Sequence, residues 1–322
     1  MKLATYQDGS RDGQLVVVSR DLSTAHYATG IASRLQQLLD DWNFLSPQLQ
    51  DLAITLNHGK ARHAFPFEPA KCLSPLPRAY HWASSVAYLQ HLRLAHAQRG
   101  EALPEALLGE PLLAPAASDQ FLAPCAEQRF AGVDGGLDFE AGLAVMTGDV
   151  AAGASSAQGL DAVRLLLLCT SWCRREAAPT GAGLLPGWPM TAFGPVAVTP
   201  DELGEAWQGG KVSATLQVSW NGRKIGQCDT GSDMSFHFGQ LVAQLARQRP
   251  LGAGSLVGSG PVSNQDPAKG VACLADQRAR EAQAGEVRTA FAQYGDTLYV
   301  DLKGRDGLSV FGAIEHSVTE VE

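Results

Sequence analysis

The chain has no surplus of basic charge: 25 Lys and Arg stand against 33 Asp and Glu, a net charge of −8. Surfaces that track phosphates concentrate cations, so nucleic acid is not expected as a partner. Long apolar runs are missing as well. The longest, Leu165 to Cys169, falls far short of the roughly 20 residues that span a bilayer. No apolar signal segment stands before the strand-like Leu3-Ala4-Thr5-Tyr6, so the expectation is a soluble cytoplasmic protein without membrane association. Cysteine is sparse and scattered, at positions 72, 125, 169, 173, 228 and 273. Only Cys169 and Cys173 are close, without Cys-x-x-Cys spacing or a second pair, which argues against structural zinc. They read as buried thiols, or as soft-metal ligands alongside a histidine if one helical turn separates them. Gly258-Ser259-Gly260 is neither a nucleophile elbow nor a phosphate loop, lacking the spacing of both.

What is present, 322 residues with 45% hydrophobic and 18% charged, is enough for a large core. Lys2 to Tyr6 and Gln14 to Ser19 read as a hairpin. Leucines at helical spacing over residues 33 to 56, interrupted by Ser46-Pro47, read as two short helices. These make a small N-terminal α/β domain over residues 1–72, and the Pro-containing run Cys72 to Arg78 reads as the linker into a second domain, 73–322. In that domain Ser84 to Ala97, Gly159 to Cys169, Pro200 to Trp207 and Phe238 to Gln248 are helix-compatible. Val212 to Trp220 turns at Asn221-Gly222, a type I′ signal, and Thr297 to Leu302 turns at Arg305-Asp306-Gly307 into Ser309 to Gly312. The fold class is α+β and β-dominated.

The most informative segment is Leu137-Asp138-Phe139-Glu140-Ala141-Gly142-Leu143-Ala144-Val145. In a strand, residues two apart share a face, so Asp138 and Glu140 aim together while Gly142 aims nothing. A third acid in place of Gly142 would complete a shelf for a hard divalent cation, which is held by several anionic oxygens.

Several stretches, in order along nearly the whole chain, resemble the fumarylacetoacetate hydrolase family. They are Leu73-Ser74-Pro75-Leu76-Pro77 leading into Ser84 to His91, Leu137 to Glu140, Thr191-Ala192-Phe193-Gly194-Pro195 through Pro200, Trp220-Asn221-Gly222 with Met234-Ser235-Phe236, and Leu251 through Gly260. The resemblance implies a mixed β-roll with flanking helices, a homodimer, and Mg²⁺ or Ca²⁺ binding a 1,3-dicarbonyl or 2-oxo acid whose C–C bond is cleaved. There a His paired with a carboxylate activates water, and the metal and a lysine stabilise the departing enolate.

Carried over residue by residue, the resemblance puts the catalytic His at His91 and its carboxylate near Asp276. Its metal carboxylates fall at Ser84, Glu140, Gly142 and Ser171, so one of four acids remains, with Asp138 as the nearest helper. No Asp or Glu lies between Asp161 and Glu176 to replace the one missing at Ser171. The lysine maps to Thr180, with no lysine between Lys71 and Lys211, and the threonine of the oxyanion turn maps to Pro261, which has no N–H and no hydroxyl. His91 could also be a hydrogen-bonded residue on a half-buried helix, and Glu140 a strand-edge acid bonded to amides. Arg174-Arg175 could clamp the carboxylate of a small acidic metabolite, or form a solvated pair. Three functional readings remain open. They are a family member with weak or lost metal-dependent catalysis, an active hydrolase, hydratase or decarboxylase on a rearranged site, and a non-catalytic binding or scaffold subunit.

Overall fold

The computed structural model describes residues 1–175 and 190–321. At its centre the strands Leu137–Thr147 and Val163–Arg174 pair antiparallel over nearly their whole lengths. Every residue of Leu137–Thr147 is buried, because its two faces meet two different cores. Phe139, Ala141, Leu143 and Val145 enter one, while Ala144 and Met146 enter the other. A strand covered on both faces reads as a continuous apolar run, and this explains one correction. Gly159 to Cys169 is not a helix: the helix Ser156–Asp161, opened by its Ser155 capping box, ends first, and the apolar run is strand from Val163. Short apolar runs do not distinguish buried helix from buried strand, and here pairing with Leu137–Thr147 decides.

Among the described residues this pair belongs to a mixed twelve-stranded sheet. Its main path runs through Phe65–Pro66, Thr24–Tyr27, Gln14–Val18, Lys2–Tyr6 and Ala197–Val198 to the central pair, then through Leu256–Gly258, Trp82–Ser85 and Leu113–Pro115. The N-terminal strands therefore hydrogen-bond into the same sheet as the rest of the chain, with Lys2 opposite Val198 and Leu3 opposite Ala197. A second sheet, ordered Arg223–Asp229, Thr215–Trp220, Thr297–Lys303, Ile314–Glu320 and Cys125–Phe130, packs on one face of the first. Its Leu216, Val218, Val300 and Ile314 share a core with Phe139 and Leu168. Helices Leu35–Asp40 and Trp42–Asn57 cover the other core through Leu38, Leu45, Leu49 and Leu56. The molecule is α+β and β-dominated.

The hairpin of Lys2–Tyr6 with Gln14–Val18 forms, and Asn221 and Gly222 take φ of 51° and 72°, as a type I′ turn requires. The two early helices divide at Asp41, not at Ser46-Pro47, and Pro47 lies inside the second. Loss of its N–H is outweighed by burial of Leu45, Leu49 and Leu56, each contributing about 1.5–3 kcal/mol. Ser84 is not helical: Trp82–Ser85 is strand, and the helix spans Leu89–Gln98. Thr297–Lys303 takes Thr215–Trp220 and Ile314–Glu320 as its strand partners, and the expected return at Ser309 forms only as an isolated antiparallel bridge, Lys303 opposite Ser309, with Val310 N donating to Leu302 O at 3.0 Å. No helix among the described residues is long and apolar enough to cross a membrane.

Candidate functional site

The central strand pair sets the geometry. Its register places Ser171 opposite Glu140, Cys173 opposite Asp138 and Cys169 opposite Gly142, so these six side-chain positions share one face. Asp138 is fully buried and Glu140 nearly so. At Gly142 an added Cβ would sit 2.1 Å from the Gly260 carbonyl oxygen and 2.8 Å from Ser259 Oγ. The Ser259-Gly260 turn thus occupies the space that an acid at 142 would need, and glycine is the residue that fits. Cys169 and Cys173 are four positions apart on a strand, roughly 13 Å, and cannot share one ion; that reading depended on a helix.

Asp138 is saturated with donors. Its Oδ1 accepts from Phe139 N and Leu274 N, both at 2.8 Å, and its Oδ2 from Ala275 N at 3.0 Å and Arg175 Nε at 2.9 Å. Leu274 and Ala275 open the helix Leu274–Gln283, whose N-cap, Cys273, makes no side-chain cap bond. Asp138 caps that helix from across the fold, meeting orphan amides and the positive end of the dipole together. Burial raises its carboxyl above the ordinary aspartate value against the pull of Arg175 and these amides.

Arg175 follows the last residue of its strand. Its guanidinium bridges the two acids, with Nη1 2.7 Å from Glu140 Oε1 in addition to the Asp138 contact. Burial opposes its charge, yet the neighbouring anionic groups, the Glu140 and Asp138 carboxylates among them, hold it well above even the usual arginine value. Its Nη2 is buried and has no hydrogen-bond partner among the described residues. Arg174 faces the other way: Nη2 donates to Gly132 O at 2.6 Å and Nη1 to Asp134 O. The structure therefore separates the two arginines, one tied to backbone carbonyls and one to the site's carboxylates.

The helix Leu89–Gln98 brings His91 to Asp276 on Leu274–Gln283, with Nδ1 2.7 Å from Oδ1 and both residues buried. Ser263 Oγ donates to Asp276 Oδ2 at 2.6 Å, and Cys273 Sγ lies 4.0 Å from the same His91 Nδ1. Burial opposes the imidazolium, but the charge and hydrogen bond of Asp276 outweigh it, and His91 titrates above its ordinary value. Burial likewise opposes the Asp276 anion, and His91 and Ser263 overcome it, holding that carboxyl below the aspartate value. With Nδ1 turned to the carboxylate, neutral His91 carries its lone pair on Nε2, the tautomer suited to a general base.

Ser84 sits on Trp82–Ser85, opposite Gly258 in a parallel pairing. Ser171 Oγ shares a 3.0 Å hydrogen bond with Thr191 Oγ1, which also accepts from Trp82 Nε1 at 3.2 Å. Thr180 lies outside the described residues. Pro261 follows Gly260 at φ 69°. Ser263 and Cys273 escaped the reading of the sequence. The one signal for Cys273 was its position three residues before Asp276, which at a helix start puts both on one side.

These residues do not fit a hard divalent cation. The surviving acid at the four implied positions, Glu140, already has a guanidinium as its counter-ion, and Asp138 spends both oxygens on amides and the same arginine. Two serines and a sterically enforced glycine supply no further charge, and charge count helps set affinity at such sites.

Comparisons with known proteins follow the same outline. The family model for the fumarylacetoacetase N-terminal domain 2 matches residues 1–78, and that for the fumarylacetoacetate (FAA) hydrolase C-terminal region matches residues 80–319. No curated protein matches. Among solved structures, fumarylacetoacetate hydrolase from psychrophilic Exiguobacterium antarcticum aligns over 100% of both chains at 16% identity and TM-score 0.67. Maleylpyruvate hydrolase from Sphingobium sp. SYK-6, solved in complex with manganese(II) and pyruvate, aligns over 100% of both at 14% and 0.66. For 5-carboxymethyl-2-hydroxymuconate delta-isomerase from Mycobacterium smegmatis, coverage is again 100% of both, at 14% and 0.62. At such identities the structural likeness speaks for the fold.

Proposed function

The chain belongs to the fumarylacetoacetate hydrolase family, and from that premise we propose that it receives a small 2-oxo acid or 1,3-dicarbonyl metabolite at a site where Arg175 has taken over from the divalent cation. Metal-dependent cleavage of C–C bonds is then weak or lost. The observation that carries this reading is the Arg175 bridge, 2.9 Å to Asp138 and 2.7 Å to Glu140. It neutralises the acid that would otherwise bind metal. Nη2 of Arg175, buried and without a hydrogen-bond partner among the described residues, supports the same reading: an unmet buried donor costs about 1–3 kcal/mol, which an anionic ligand oxygen would recover.

A second reading, an active hydrolase, hydratase or decarboxylase, is favoured by the intact His91–Asp276–Ser263 chain. His91 Nε2 takes a proton from water, Asp276 supports the imidazolium, and Arg175 Nη2 faces the oxyanion. Both readings carry forward the family's homodimer as an expectation. The experiment is turnover of acylpyruvates with and without chelator, in wild type and His91→Ala, beside calorimetric titration with Mg²⁺, Mn²⁺ and Ca²⁺. The first reading expects no stoichiometric hard-metal binding and negligible turnover. Chelator-resistant turnover that His91→Ala abolishes would establish the second reading. Turnover that requires metal would contradict both.

A further inference from the structure

We propose that Cys273, His91 and Asp276 form a three-ligand site for Zn²⁺ or another borderline divalent cation, chemically unlike the carboxylate site of the preceding section, independent of the first reading given there and exclusive of the second. The Sγ, Nδ1 and carboxylate oxygen donors all lie within 4.8 Å of one another, and all three residues are buried. His91 Nδ1 is 2.7 Å from Asp276 Oδ1 and 4.0 Å from Cys273 Sγ. Donors around a tetrahedral zinc stand roughly 3.5 Å apart, given metal–ligand bonds of about 2.0–2.3 Å. Sub-ångström movements of two donors towards or away from Nδ1 therefore bring these separations to coordination distance.

The local sequence explains why the donors converge. Cys273 is the N-cap and Asp276 lies in the first turn of the helix Leu274–Gln283, three residues apart and so on one side of the helix start. Asp138 already satisfies the amides of Leu274 and Ala275, so the Cys273 side chain has no capping task. His91 comes from the neighbouring helix Leu89–Gln98. Ser263 holds Asp276 Oδ2 and leaves Oδ1 for the metal, the outer-sphere arrangement that orients a ligating carboxylate.

Charge is compatible. Asp138 and Glu140 against Arg175 sum to −1 beside the trio, so the surroundings attract a cation. Binding of Zn²⁺ forms Zn–S, Zn–N and Zn–O bonds. The Cys273 thiol proton leaves to solvent, and the imidazole proton moves from Nδ1 to Nε2, giving a centre of net charge zero. Three protein ligands leave a fourth position for water, the pattern of zinc sites that are not closed. The ion also takes the Nδ1–Asp276 contact and the free Nε2 lone pair from His91, so metal occupancy and a general-base role for His91 exclude one another.

The test is titration of chelator-treated full-length protein with Co²⁺, followed by displacement with Zn²⁺. One equivalent should produce a near-ultraviolet thiolate-to-cobalt charge-transfer band, and one equivalent of Zn²⁺ should erase it. Cys273→Ala, a small change at a buried position whose folding is checked by circular dichroism, should abolish the band. It should also weaken zinc by more than the roughly 100-fold typical of losing an outer-sphere partner. Cys173→Ala should leave the band intact. No band in folded wild type, or a band that survives Cys273→Ala, overturns the proposal. A metal bound at Glu140 would give no thiolate band, so failure of the preceding reading is told apart from failure of this one.

Discussion

Replacing Arg175 with methionine removes the only guanidinium that touches Asp138 and Glu140 among the described residues. Removing one partner of a buried ion pair costs about 3–5 kcal/mol, because the other charge stays buried without compensation. Two features place this case at the low end. The Arg175 side chain is 22% exposed, so water screens part of its charge, and Asp138 keeps the amides of Phe139, Leu274 and Ala275. The loss therefore falls mainly on Glu140 and comes to about 3 kcal/mol. For 322 residues, with an unfolding entropy of about 2.1 cal/mol/K per residue, that is a fall in Tm of about 4 °C. Urea denaturation of wild type, Arg175→Met, Glu140→Gln and the double variant closes a thermodynamic cycle. Glu140→Gln should cost stability alone and restore much of it beside Arg175→Met, with a coupling of about 2 kcal/mol. A stable Arg175→Met protein, or no restoration by Glu140→Gln, would refute the claim that this guanidinium is the site's resident counter-ion.

Other outcomes follow from the same geometry. His91 titrates above its ordinary value, so its contribution to stability is complete below the ordinary histidine pKa and is lost as pH rises through the raised one. Asp276 titrates below its ordinary value, so its contribution is complete above the ordinary aspartate pKa and is lost as pH falls through the lowered one. The stability gap between wild type and Asp276→Asn should be widest from about pH 4 to 6.5 and narrow on both sides in urea titrations, and a pH-independent gap would contradict the pairing. Gly142→Ala drives a Cβ to 2.1 Å from the Gly260 carbonyl and should cost about 1–3 kcal/mol by calorimetry through forced backbone movement. Unchanged stability would mean that the Ser259-Gly260 turn leaves room for an acid at that position.

What the sequence made legible depended on the range of the signal. Period-2 alternation put Asp138 and Glu140 on one face of a strand, and that placement is local. The pairing of His91 with Asp276 spans 185 positions; no periodicity carries it, and it came from the family resemblance. Two-sided burial hid the strand Val163–Arg174 behind a run that passes equally for a helix, and with it the register that sets Ser171 and Cys173 opposite the acids. Arg174 and Arg175 looked like one cationic pair, but they serve different partners: one guanidinium reaches Gly132 and Asp134, the other Asp138 and Glu140. The capping of Leu274–Gln283 by Asp138 is likewise tertiary, joining residues 136 positions apart.

Loss of the hard-cation site is tested most directly by calorimetric titration of the wild-type protein with Mg²⁺ and Mn²⁺, paired with a crystal structure grown in Mn²⁺ and read by anomalous scattering. The expected result is no stoichiometric heat and no anomalous peak at Glu140, with Arg175 still bridging Glu140 and Asp138. A one-to-one site of micromolar affinity, with the manganese peak on Glu140 and the Arg175 guanidinium displaced, would contradict the account.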